Sequence, residues 1–264
     1  MNRMTIPGNG TIKKLARQMF KGHWLEAFLV SAIVVLLLNV PASLVMMFAP
    51  ESTILAVLMD VYTVLMQGPL QMGLCWYFIS TFRNKSAGFS SLIYGFEYFT
   101  KGACLFCVIS LKVILWSMLF VVPGIFAIIR YSQAFYILAD DPRKGVNQCI
   151  EESKMMMKNL KGRYLLFCLG YLGWLILASV PYSLITYKLT ALDIFASYSY
   201  DSIATAIYSV QGNPMYIISD IAKILFDVYW GMGAVCFYDI VSGNLVFGNP
   251  QEPEPCEEAF EDSI

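Results

Sequence analysis

The chain has 264 residues, 58% of them hydrophobic and only 14% charged, with a formal net charge of −1. That is too apolar for an ordinary soluble domain, and the balanced charge gives no bulk attraction to nucleic acid. Long uncharged runs at Ala27–Phe48, Val61–Phe82, Val113–Ile129 and Tyr164–Tyr187 also argue against a membrane β-barrel, whose strands alternate in segments of about ten residues.

In chain order, the first element predicted is an amphipathic helix. Ile12, Leu15, Ala16, Met19 and Phe20 recur at helical spacing opposite Lys13, Lys14, Arg17 and Lys21. A membrane helix over about 24–48 follows. It is too long for a signal-peptide core and lacks a small-residue cleavage site after it, so it is expected to stay attached. The next span, about 60–82, carries Gln67 and Gln71 one turn apart astride Gly68-Pro69. They are candidates for interhelical hydrogen bonding or for lining a polar cavity.

A second amphipathic stretch places Phe89, Leu92, Ile93, Phe96 and Phe99 on one face. Two spans, about 103–122 and 124–140, are then separated only by Pro123-Gly124. One long kinked helix is the rival reading. A single crossing there would leave either Arg83–Lys101 or Arg143–Arg163 outside, so the positive-inside rule favours two. A third amphipathic stretch has Val146, Cys149, Ile150, Ser153, Met157 and Leu160 on one face. Asp141 is its expected N-cap, Pro142 its first turn and Gly162 lies just beyond its end.

Spans at about 164–187 and 215–239 complete the set, with a long outer segment, Lys188–Gly212, between them. With the N-terminus inside, 14 of the 18 basic residues fall on the cytoplasmic side. The tail Asn249–Ile264 is rich in Pro and Glu and is expected to be disordered and cytoplasmic.

An internal pattern runs through these elements. Lys21-Gly22 to Val40-Pro41, Lys101-Gly102 to Val122-Pro123 and Lys161-Gly162 to Val180-Pro181 each enclose an apolar run. The reading is an all-α, polytopic helical bundle of six transmembrane helices, built as three consecutive hairpin repeats (about 11–82, 89–140 and 146–240). Each repeat is preceded by a cytoplasmic interfacial helix, within one domain over 1–248.

The stretch Pro123-Gly124-Ile125 with Tyr131-Ser132-Gln133-Ala134-Phe135-Tyr136-Ile137-Leu138-Ala139-Asp140-Asp141-Pro142 is distinctive. Together with Glu152-Ser153-Lys154, Tyr171-Leu172-Gly173-Trp174 and the opening Lys14-Leu15-Ala16-Arg17, it resembles a bacterial integral membrane family. That family is called domain of unknown function 975 and is found mainly in Gram-positive Firmicutes. The resemblance spans most of 11–240, although Met155–Gly162 is looser than the family pattern. It implies a multi-pass protein of the bacterial cytoplasmic membrane and carries no activity with it.

Charges inside the membrane are the best site candidates, because each is costly there. Lys112, Arg130, Asp220, Lys223 and Asp227 form that set, with Lys112–Asp227 and Arg130–Asp220 as expected pairs. Catalytic signals are thin. His23 is the sole histidine, seven cysteines give no disulfide framework, and Cys104-x-x-Cys107 has no second pair to close a zinc site. No metal, cofactor or enzymatic activity is expected. The expected partners are the lipid bilayer and a membrane protein or a lipid or small-molecule ligand. Two functions stand: a non-enzymatic module that binds a protein partner or organises the envelope, or a small transporter or lipid-handling protein with a polar path near Lys112 and Asp227.

Overall fold

The computed structural model describes residues 8–49, 52–84, 88, 90–196 and 214–244, and its regular elements there are helices. The acidic tail, the outer segment from 197 onward and Cys256 lie outside the described residues.

Helix α1 (Asn9–Met19) buries Ile12 and Ala16, and Phe20 just after it is also buried, while Lys14 and Arg17 stay exposed. The turn that follows needs a left-handed residue, supplied by Gly22 at φ 94°. Helix α2 (Trp24–Phe48) then runs straight through Pro41. Proline has no N–H to give to the carbonyl four residues back, so Leu37 loses its helical partner. In hydrocarbon such a carbonyl needs another donor. The Tyr62 hydroxyl of α3 (Thr53–Asn84) supplies it at 2.8 Å. Tyr62→Phe will therefore cost about 1 kcal/mol in the native chain and close to nothing in Pro41→Ala, where the helical bond is restored. A double-mutant cycle by unfolding in detergent checks this.

Helix α3 is crossed closely by α4 (Ser90–Glu97) and α5 (Phe99–Leu119), with glycine on both sides of each crossing. A Cβ on Gly68 would run into the Gly102 carbonyl and stand 2.8 Å from the Ala103 Cα. One on Gly95 would run into the Pro69 carbonyl and stand 2.8 Å from the Gly73 nitrogen. Beside this contact, Trp76 stacks on Tyr94 at 4.3 Å.

After α5 the backbone is extended at Phe120 (φ −163°, ψ 155°), and α6 (Val121–Tyr131) turns back. Pairs equidistant from this point face each other. Gly124 packs on Ser117, the Lys112 ammonium lies 5.9 Å from the Tyr131 ring, and Lys101 donates to the Pro142 carbonyl at 2.6 Å. The segment is a hairpin rather than one kinked helix. After a break at Ser132 and Gln133, α7 (Ala134–Asp140) continues α6.

Helix α8 (Val146–Met156) buries Cys149, Ile150 and Ser153 on the face the periodicity picked. The Ser153 hydroxyl donates to the Arg130 carbonyl at 2.8 Å, which seats α8 along α6. Its ends differ from expectation. Gly145 occupies the N-cap position, whereas Asp141 ends α7 and accepts the Arg143 N–H at 3.1 Å. The left-handed residue at the exit is Asn159 (φ 70°), and Gly162 falls inside α9 (Lys161–Ala196). Helix α10 (Pro214–Val241) packs antiparallel to α9, with ring pairs Tyr164–Phe237 at 5.0 Å and Tyr171–Tyr229 at 4.9 Å.

The sequence marks of the repeat fall at unlike places. Lys21-Gly22 lies in a turn, Lys101-Gly102 inside α5 and Lys161-Gly162 at the start of α9. Pro41 and Pro181 lie within helices, while Pro123 sits in the first turn of α6.

Four helical stretches among the described residues are long and apolar enough to cross a bilayer: Trp24–Val45, Phe99–Leu119, Val121–Asp140 and Ile221–Val241. A fifth arises if Val146–Met156 and Lys161–Leu177, set at 92°, form one broken span. Burial is uneven. Residues 70–82 of α3, the chain from Ala127 to Ala139 and residues 228–240 of α10 hold most of the core, with α1 and α8 against them. Around the α5–α6 turn the apolar side chains are bare, Met118 being 82% exposed. Large exposed apolar faces on long helices mark a multi-pass membrane protein.

Candidate functional site

The C-terminal ends of α3, α7 and α10 lie close together, and each carries a charge. Arg83 is in the last turn of α3, Asp140 closes α7 and Asp239 lies near the end of α10. The guanidinium joins them, with Nη1 2.5 Å from Asp140 Oδ1 and Nη2 2.7 Å from Asp239 Oδ1. Its Nε also donates to Asp239 at 3.2 Å. The Tyr238 hydroxyl donates to Asp140 at 3.0 Å, and the Tyr136 ring stacks on Tyr238 with centroids 5.5 Å apart. Asn244 Nδ2 reaches Asp239 Oδ1 at 3.4 Å.

The electrostatics are lopsided. Asp239 is 1% exposed, and two carboxylates face one guanidinium at a point where three helix C-termini, each the negative end of its dipole, also converge. Burial on its own would lower the Arg83 pKa. The hydrogen bonds and charges of Asp239 and Asp140 outweigh it, so the pKa is raised and the cation is held. This arrangement pins three helix ends together.

Lys112, Arg130 and Asp227, three of the charged residues singled out by sequence, take no part in the Arg83 cluster. Lys112 lies over the Tyr131 ring, which Lys154 approaches from α8 at 6.0 Å, and the Lys112–Asp227 ion pair is not made. Asp227 is exposed on α10 and feels the charge of Lys223 one turn earlier on its own helix. Arg130 is half-buried, and its backbone carbonyl holds α8. The Asp220 side chain lies outside the described residues. Gln67 and Gln71 are half-buried, and Gln71 lies within reach of the Cys75 thiol on its own helix. The substitutions Lys112→Met and Asp227→Asn are therefore expected to act additively on stability, within about 0.5 kcal/mol. A coupling above 1 kcal/mol in the double mutant would contradict this geometry.

A second feature lies on the flank. Between α1, α2, α9 and α10 is a cavity of about 450 Å³ walled by Trp24, Trp174, Leu177, Leu225, Phe226 and Tyr229, with Ala222 between them. Arg17 is the charged residue among the described ones that line it. Helix α1 is fastened beside this groove by Lys13, which donates to the Gly170 carbonyl at 2.6 Å and lies 4.2 Å from the Tyr171 ring centroid. No group of three or more metal-ligating side chains occurs among the described residues.

Sequence reasoning passed over both features. The ion cluster left one signal: the C-terminal ends of α3, α7 and α10 carry opposite charges, plus at Arg83 and minus at Asp140 and Asp239. The family model for a protein of unknown function, DUF975, matches residues 108–243, which is 136 of 264 residues. The chain belongs to the DUF975 family. The matched region runs from the middle of α5 through α10, so it contains Asp140, Tyr238 and Asp239, while Arg83 and the groove residues of α1 and α2 precede it. No curated protein and no solved structure matches this DUF975 chain.

Proposed function

We propose that this DUF975 protein is a non-enzymatic membrane module that binds a partner protein or organises the envelope. In this reading it has six crossings in three consecutive hairpins, α2 with α3, α5 with α6–α7, and α9 with α10. The short helices α1, α4 and α8 lie at the cytoplasmic face of the bacterial cell membrane, and both termini are cytoplasmic.

The observation that carries the reading is how the polar groups are disposed. Inside the bundle, Arg83, Asp140, Asp239 and Tyr238 satisfy one another, and the flank cavity is walled by apolar and aromatic side chains. A carrier would need a polar route through the bundle. Lys112 and Asp227, the residues that could have lined one, stand apart. The apolar groove on an outer face suits attachment rather than passage.

The test is purification from a native host in nanodiscs, followed by mass spectrometry of proteins and small molecules. A stoichiometric protein partner that is lost when residues 249–264 or α1 are deleted is the expected result. A lone protein carrying a polar solute, released by Lys112→Met, would overturn the reading in favour of transport.

A further inference from the structure

The flank groove combines three properties that together specify an occupant. Its walls are apolar and open outward, Trp174 and Leu177 being 58% and 61% exposed, so in a bilayer it faces acyl chains. At about 450 Å³ it is in the range of pockets that hold a discrete ligand, roughly 300–1,000 Å³. Arg17 lines it, is exposed, and has no ion pair with any described carboxylate. A cation beside hydrocarbon walls at the edge of a membrane needs an anionic counterpart. Trp24, at the start of α2, is the kind of amphipathic side chain that settles at headgroup depth.

We infer that this groove is a binding site for an anionic phospholipid, with an acyl chain against Trp174, Leu177 and Phe226 and the headgroup phosphate at Arg17. Charge complementarity selects the anionic headgroup, and the apolar walls select a lipid over a free anion. Lys13 is already committed to the Gly170 carbonyl and the Tyr171 ring, so it orients α1 and leaves the phosphate to Arg17. The inference rests on the membrane-embedded part of the proposed function and not on the identity of any protein partner.

Tryptophan fluorescence tests it directly, because Trp24 and Trp174 form the walls. The full chain is reconstituted in bilayers containing equal small fractions of phospholipid brominated on its acyl chains, either phosphatidylglycerol or phosphatidylcholine. The brominated phosphatidylglycerol is expected to quench preferentially, with a relative affinity about fivefold above phosphatidylcholine, as one basic residue near anionic headgroups provides. Arg17→Gln should bring the ratio to about one. Lys14→Gln, which changes a neighbouring exposed cation outside the groove, should leave it in place. Ala222→Leu, which fills the groove with Arg17 intact, should also abolish the preference and guards against misfolding of the Arg17 variant. Equal quenching by both lipids in the unmodified chain, or an equal loss of preference in Lys14→Gln and Arg17→Gln, overturns the site. The absence of quenching by either lipid overturns the membrane-embedded reading itself.

Discussion

Arg83→Met will lower the stability of the folded chain by about 3–5 kcal/mol, the largest effect expected of any single side chain outside the apolar core. The substitution keeps much of the volume and removes the cation, leaving Asp140 and Asp239 facing each other with no positive partner. Asp239 is almost wholly buried and cannot relax into water, and the converging helix C-termini add to the repulsion. The two carboxylates should not be equivalent. Asp239→Asn removes the buried partner and leaves Arg83 with Asp140 alone. Asp140→Asn still leaves a neutral Arg83–Asp239 pair, and the Asp140 side chain is 28% exposed. The expected order of loss is Arg83→Met, then Asp239→Asn, then Asp140→Asn, measured as the shift in unfolding midpoint in one detergent. A loss for Asp140→Asn equal to that for Arg83→Met would show that the cluster is not organised around the guanidinium.

Gly95→Ala and Gly68→Ala come next, at about 2–3 kcal/mol each. In both places the added methyl group would meet backbone atoms of another segment, which cannot rotate away as a side chain can. Relief would require α4 or α5 to lift off α3, and with α4 would go the stacking of Tyr94 on Trp76. Gly173→Ala is the matched control. A Cβ there has nothing within 4 Å, so stability should be unchanged or rise by up to about 1 kcal/mol from helix propensity. Tolerance of all three substitutions would mean that α3 does not approach α4 and α5 so closely.

The long helices were the legible part of the fold. The run from Trp24 to Phe48 follows Lys21-Gly22-His23 and stops before Ala49-Pro50-Glu51, and the helix has those bounds. The amphipathic faces of α1 and α8 were legible for a similar reason, since burial of Ile12 and Ala16, or of Cys149 and Ile150, follows the 3.6-residue period. Helix α3 starts well before residue 60 because a lone Asp60 does not interrupt a backbone that is otherwise a good helix former. The cap positions around α8 were misassigned because Asp141 serves its own turn, with its carboxylate taken by the Arg143 N–H.

The ion cluster was hidden for a different reason. Arg83 reads as one more cytoplasmic flank cation, and its partners lie 57 and 156 residues away. Sequence alone gives the depth of a charge along its helix but not the direction it faces. That is also why Lys112 and Asp227, at plausible depths, do not meet. The groove draws one residue each from α1 and α2, two from α9 and four from α10, and Trp24 and Trp174 stand 150 residues apart in the chain. Only packing makes them two walls of one cavity.

We propose above all that three hairpins cross the membrane, with their connections on one side and the Arg83 cluster on the other. Cysteine labelling in intact cells tests it most directly, in a chain whose native cysteines are replaced by serine. Single cysteines at Ser52 and Phe120, in the first two turns, should react with a membrane-impermeant maleimide added outside. A cysteine at Arg143, next to the cluster, should react only after permeabilisation. Labelling of Phe120 and Arg143 from the same side would contradict the account, because α5 and α6–α7 would then dip into the bilayer without crossing it.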